Sequence, residues 1–403
     1  MWTALSAFGA QAFAQSAPPQ TQTDKPLPPV SWSDGFLIQT PDGHNRLLIG
    51  VLLQVDGRFS VDDPTPVVNS LVLRRARPTF TGRVARYFDF KLMPELAGTP
   101  VLLDAYFDIR FASSFRLRSG KDKTPIGYEI LISDANLPFP ERSIVSLLLP
   151  NRDVGFQAQG DLAGGRFLYS GGVFNGNPTD GSNSTTDADV NNAKDLAGRI
   201  VFLPFKNTKG SRLNNFGFHL GGSTGKQRGA LPSFRTSIGQ TFFSYVPGAT
   251  ASGPRTRVTP AVFLYSGRLG MFAEYARSST DVSASSVDGN VTNTAWNVTA
   301  SYLLTGEAAT DRTLRPNRPF DPAAGQWGAL QLVARYGELR FDDTNFELGL
   351  ASAGSSTDAR QFTVGANWLL NSWVKAYANY ERYTFGGGRP AEDSIYFRMQ
   401  LAF

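Results

Sequence analysis

In the last ten residues, 394–403, Ile395, Phe397, Met399, Leu401 and Phe403 take every second position. Ser394, Tyr396, Arg398, Gln400 and Ala402 stand between them. A strand turns alternate side chains to opposite faces, so this segment has one apolar wall and one largely polar wall. The same period recurs from about residue 46 onward, and no 3.6-residue stripe is sustained anywhere. Phe107, Ile109 and Phe111 oppose Tyr106, Asp108 and Arg110; Trp296, Val298 and Ala300 alternate with Asn297, Thr299 and Ser301. Polar residues in mid-strand are poorly tolerated by a soluble core. Their number argues against a large β-sandwich and for a wall with lipid on one side and water on the other.

Counting such segments predicts strands near 46–59, 71–83, 87–97, 101–111, 114–120, 152–160, 166–174, 195–204, 214–224, 257–266, 268–279, 293–304, 327–340, 360–370, 373–384 and 394–403. The expected fold is all-β: a transmembrane antiparallel β-barrel of about sixteen strands with an inward-folded constriction loop. An even number puts both ends on the periplasmic side. Connections then alternate between tight turns, such as Asn371-Ser372, and long polar external loops at 175–194, 225–256 and 341–359. The stretch 305–326 departs from this rule, being long where parity calls for a short turn. Either it is a periplasmic excursion or the count is off by two strands.

Composition narrows the function classes. Cysteine is absent and only His44 and His219 are present, which leaves no thiolate chemistry and little for histidine catalysis or a zinc site. An enzyme is therefore not expected, and neither is a cofactor or a nucleic-acid partner. No window holds 18 uninterrupted apolar residues, which excludes a transmembrane helix but not a barrel. Residues 1–14 read as the apolar part of a secretory signal with an Ala12-Phe13-Ala14 cleavage site. No Lys or Arg precedes it, so the start is expected to be truncated or misplaced; the alternative is a disordered N-terminus. Residues 15–34 are a Pro/Gln-rich periplasmic lead-in, and 35–403 the barrel domain. Aromatics at strand ends (Tyr87, Phe88, Phe167, Tyr169, Tyr302, Trp368, Tyr380, Phe403) fit interfacial girdles.

Several blocks resemble the phosphate-selective porin O/P family: Leu73-Arg74-Arg75-Ala76-Arg77, Leu103-Asp104-Ala105-Tyr106-Phe107-Asp108, and the stretch from Arg116 to Glu129 with its G-x-x-K-x-P-x-x-x-E spacing. Glu141-Arg142, Asn151-Arg152-Asp153-Val154-Gly155, Ala334-Arg335-Tyr336 and Asn367-Trp368 continue the resemblance in order, from about Gly35 to Phe403. The resemblance implies a homotrimeric outer-membrane channel, set in lipid and lipopolysaccharide, that passes small anions, with phosphate or polyphosphate favoured. It also implies that Phe403 is the recognition end for membrane insertion.

A wide barrel needs something folded inward to narrow it. The connection 121–151 is the candidate: it carries four prolines, Lys121, Lys123 and Arg142, and the apolar run from Ile144 to Leu149 that suits an inner wall better than water. A β-strand or a trimer contact would account for the run as well. By parity Arg75, Arg77, Arg83, Arg110, Arg116 and Arg118 face the lumen, with Arg152 at the base of the loop and Arg74 near a membrane edge or on a bulge. Lumenal arginines two residues apart stand roughly 7 Å from each other. They can grip phosphate oxygens in forked geometry and pass an anion onward. The alternative is that Asp89, Glu95, Asp104 and Asp108 neutralise part of this cluster and the arginines only shape the field of a general porin. A structural or adhesin barrel with a plugged lumen is the further alternative.

Overall fold

The computed structural model describes residues 28–61, 68–176, 189, 191–284 and 287–403. The long strands are β1 (Arg46–Val61), β2 (Ser70–Val84), β3 (Phe88–Glu95), β4 (Val101–Ala112), β5 (Phe115–Lys123), β6 (Arg152–Leu162), β7 (Phe167–Phe174) and β8 (Asp195–Phe202). They continue with β9 (Phe216–Lys226), β10 (Thr250–Ser266), β11 (Leu269–Ala284), β12 (Val287–Leu303), β13 (Ala329–Arg340), β14 (Asp358–Leu369), β15 (Val374–Phe385) and β16 (Glu392–Ala402). Neighbours in sequence pair antiparallel, and β16 pairs back onto β1 from Asp393 opposite Val61 to Ala402 opposite Leu52. The result is a closed barrel with no ladder edge left in lipid, and every expected strand has its counterpart.

Alternation sets the two faces. On β16, Tyr396, Arg398 and Gln400 are buried, whereas Phe397 and Met399 are 51 % and 53 % exposed on the outside. One strand shifts phase: a bulge between Met93 and Pro94 turns Leu102 outward and buries Leu103 beside Asp104. Arg74 is the residue skipped by the register shift between Gln54 and Val55.

β5 runs on to Lys123, so Lys121 and Lys123, expected in the connection 121–151, stand on a strand; three other strands outrun the sequence pattern by five residues or more. β10 starts at Thr250, β11 ends at Ala284 and β12 starts at Val287. Beyond the apolar band the outer face meets water, so alternation fades while the ladder continues. There Ser279, Asp281, Asn290 and Thr292 hydrogen-bond to one another across β11 and β12.

The connection after β12 lies at the end that carries the short turns. Ala309 N–H donates to the Gly267 carbonyl, Phe320 N–H to the Leu370 carbonyl, and Arg315 pairs with Asp34. Leu303, Ala309, Leu314, Ala329 and Leu369 pack beneath it. The strand count therefore stands, and 305–326 is an excursion on the side of the turns.

At the opposite end the loops are not merely polar, as 225–256 and 341–359 were expected to be. Phe234, Phe242, Phe243 and Phe341 are buried. A two-stranded hairpin (Phe234–Arg235 with Thr241–Phe243) is tied to the β13–β14 connection: Ser352 N–H donates to the Ser244 carbonyl and Ser356 N–H to the Phe242 carbonyl. Polar residues dominate these loops by number, but a few aromatics decide where they lie.

Ahead of β1, short strands Val30–Trp32 and Phe36–Gln39 extend the sheet at its base, within the end of the lead-in and the start of the barrel domain. The expected signal segment, 1–14, lies outside the described residues.

Candidate functional site

Residues 124–151, between β5 and β6, lie inside the barrel against the wall from β10 round to β2. Gly127 N–H donates to Thr259 Oγ1 at 3.0 Å, and the N–H groups of Tyr128 and Glu129 donate to the Glu274 carboxylate at 2.6 and 3.0 Å. Ile144 N–H donates to Gln361 Oε1, while Lys375 Nζ and Gln400 Nε2 donate to the Leu137 and Ala135 carbonyls, all at 3.0 Å. Strand-borne polar side chains thus satisfy a backbone that forms only two short 3₁₀ turns of its own, 129–131 and 144–148. Ile144, Val145, Leu148 and Leu149 pack against Ala276, Ala295, Leu339 and Ala359 of the wall and against Phe234, Phe242 and Phe341 above.

The cations expected in the lumen divide into two groups. The first holds the inward segment. Asp134 sits among Arg142, Arg77 and Arg75, with Arg75 Nε 3.7 Å away. Arg77 Nε also donates to Glu95 at 2.6 Å. Glu141 takes a forked pair of hydrogen bonds from Arg74, at 2.7 and 3.1 Å, and a third from Arg398 at 3.0 Å. Burial would raise both carboxyls; Arg142, Arg75 and Arg77 around Asp134 hold it well below the usual carboxylate range, as Arg74, Arg75 and Arg398 hold Glu141. Arg398, missed as a site residue, donates in fork geometry to Asp56 at 2.6 and 2.8 Å and also to the Pro140 carbonyl. Arg152 donates to Asp104 at 2.6 Å, Arg118 to Asp108 at 2.7 and 2.8 Å and to Asp122, and Lys123 to the Ile130 and Ile132 carbonyls. Lys121 is buried on β5.

The second group lies nearer the short turns. Strand register places Arg46 of β1 opposite Arg83 of β2, Arg83 opposite Asp89 of β3, Asp89 opposite Asp108 of β4, and Arg110 of β4 opposite Arg116 of β5. Like charges directly opposite one another are destabilising, yet two Arg–Arg pairs occur along one row of five strands. Asp89 accepts from Arg83 Nε at 2.6 Å and lies 3.5 Å from Arg110 Nε. Asp108 is engaged by Arg118. The side chains of Arg83 and Arg110 are 14 % and 25 % exposed, against 2 % for Arg77 and 0 % for Arg398. This row is less completely buried than Arg77 and Arg398. Arg46 was missed, although it shares parity with the inward Gln54 and Asp56; its place as the first residue of a strand hid it.

A sequence model of a known family, phosphate-selective porin O and P, matches residues 53–403. No curated protein sequence matches. Among solved structures, the anion-selective porin from Comamonas acidovorans is similar at 11 % identity, covering 89 % of this chain and 100 % of its own, with a TM-score of 0.56. The outer membrane channel DcaP of Acinetobacter baumannii is similar at 10 % identity, covering 91 % and 99 %, with a TM-score of 0.59. The trimer form of OmpT, an outer membrane protein of Vibrio cholerae, is similar at 11 % identity, covering 89 % and 99 %, with a TM-score of 0.52. At such identities the likeness is one of fold.

Proposed function

This chain belongs to the phosphate-selective porin O and P family, and from that premise we propose that it is an anion-preferring outer-membrane channel with phosphate as the favoured solute. Membership places it in the outer membrane as a channel; the anion preference is inferred from the row of partly buried arginines. Arg46, Arg83, Arg110 and Arg116 face the interior around one bridging carboxylate, Asp89. Several exposed cations at close spacing attract an anion and let it go, which a single deep pocket does not. Arg75, Arg77, Lys123, Arg142 and Arg152 take the other role, positioning residues 124–151 as the constriction, and Arg118 is tied within the wall to Asp108 and Asp122. Lys121 stands on the wall at the base of that segment. The trimeric relative supports a homotrimer, and Phe403 at the end of β16 is the natural insertion signal. The test is chloride conductance in a planar bilayer titrated with inorganic phosphate: block at low phosphate concentration is expected, and conductance indifferent to phosphate would refute a phosphate site.

A second reading is favoured by the ion pairing itself. With so many lumenal arginines bound to carboxylates, the channel would be a general porin whose charges hold the loop and shape the field. It would show anion preference without phosphate block. A barrel plugged by its aromatic loops would pass no current at all.

A further inference from the structure

The turn joining β2 to β3 is built against local preference. In this three-residue connection Ala85 and Arg86 have φ of 47° and 68°, in the left-handed region that favours Gly or Asn. Surrounding residues hold the turn in place: Ala85 N–H donates to Asn45 Oδ1 at 2.9 Å and Arg86 N–H to the His44 carbonyl at 3.0 Å. Strain of this kind persists where the side chain it presents has a use. Arg86 projects at the rim of the barrel, its guanidinium carbon 5.9 Å from the centre of the Tyr87 ring.

Beside it is a cavity of about 300 Å³ lined by Arg83, Arg86, Tyr87, Arg110 and Phe111. Three arginines line it, and the carboxylate of Asp89 is shared by Arg83 and Arg110. Tyr87 and Phe111 are 54 % and 63 % exposed on the outer face, at the level where aromatic girdles meet lipid headgroups.

We propose that this rim cavity binds a phosphate group, with Arg86 as its principal ligand and Arg83 and Arg110 completing the fork. The group is carried by inorganic phosphate leaving the channel or by an inner-leaflet phospholipid. The site rests on the anion-channel reading only through the two arginines it shares with the lumenal row, and Arg86 has no part in that row.

The test uses the full chain in detergent and the variants Arg86→Asn and Arg86→Lys. Asn suits the left-handed turn better than Arg, so R86N removes the cation without unsettling the fold. One arm measures inorganic phosphate binding by calorimetry; the other measures phosphatidylglycerol retained in native mass spectra. R86N is expected to weaken binding at least tenfold in one arm, and R86K to retain most of it. A loss in the first arm identifies free phosphate, and a loss in the second identifies the lipid headgroup. Unchanged binding in both arms, or no binding by the wild type in either, overturns the proposal. The reversal potential of R86N should stay that of the wild type, so failure here is distinguishable from failure of the channel assignment.

Discussion

Replacing Arg110 and Arg116 together by Glu is the most direct test of the lumenal row. These two residues oppose each other across β4 and β5. An anion passing roughly 6 Å from one such charge in a water-like medium gains about 0.7 kcal/mol. Reversing the charge doubles that difference, and screening at physiological salt removes about half of it over this distance. The two substitutions together then amount to about 1.4 kcal/mol, which is about tenfold in anion occupancy. A cation gains by the same factor, so the ratio of the two moves further still. The row itself changes from four cations against Asp89 to two cations against three anions. Reversal potential under a KCl gradient in a planar bilayer reads this directly: R110E/R116E should move it toward or past zero, and R110Q/R116Q about half as far. A double variant with wild-type potential and wild-type conductance would show that ions do not pass along this wall, and the reasoning from exposure and register would fall.

Three other outcomes are expected. Asp56→Asn leaves the fully buried Arg398 with Glu141 as its remaining carboxylate and should destabilise the folded channel by about 1–3 kcal/mol, read as a lower temperature for loss of the compact band on electrophoresis; an unchanged temperature would count against the pair. Asp134 and Glu141 are held below their ordinary carboxylate range, so their contribution is complete above the unfolded value of about 4 and lost as pH falls through the lower folded value. Single-channel conductance should therefore be level from neutrality to about pH 4 and change only in stronger acid; Asp134→Asn should already show that change at neutral pH. Gly120 has φ of 126°, and a Cβ there would lie 2.2 Å from the Ala105 carbonyl oxygen; Gly120→Ala should abolish assembly, and normal yield of folded barrel would refute the close approach of β4 and β5.

The barrel was legible in the sequence because its signal is local. Alternation with period two needs only neighbours along one strand to reveal an inside and an outside, and it marked Arg83, Arg110 and Arg116 as lumenal. It faded at Ser278–Ser283 and Val287–Asn293, where the outer face is polar and the inward Val282 and Val291 pack under Leu350 of the β13–β14 connection, so β11 and β12 read as shorter than they are. It was misleading in the loop around Phe234, Phe242 and Phe243, where polar composition masked three aromatics that bury together with Phe341.

Parity assigns a residue to a face but not to a partner. Arg398 and Asp56 are 342 residues apart in the chain and meet only because β16 closes on β1. Asp134 and Glu141, on the inward segment, engage Arg75, Arg77 and Arg398 because that segment docks where β2 and β16 present them. Those long-range contacts divide one run of inward cations into buried pairs that hold a loop and a row, Arg46, Arg83, Arg110 and Arg116, that is less completely buried. The sequence by itself determined the barrel, its strand count and which side chains turn inward, since each depends on spacing along a single strand. Which carboxylate each inward arginine meets was decided only by closure and docking, because a charge is neutralised by what lies beside it in space.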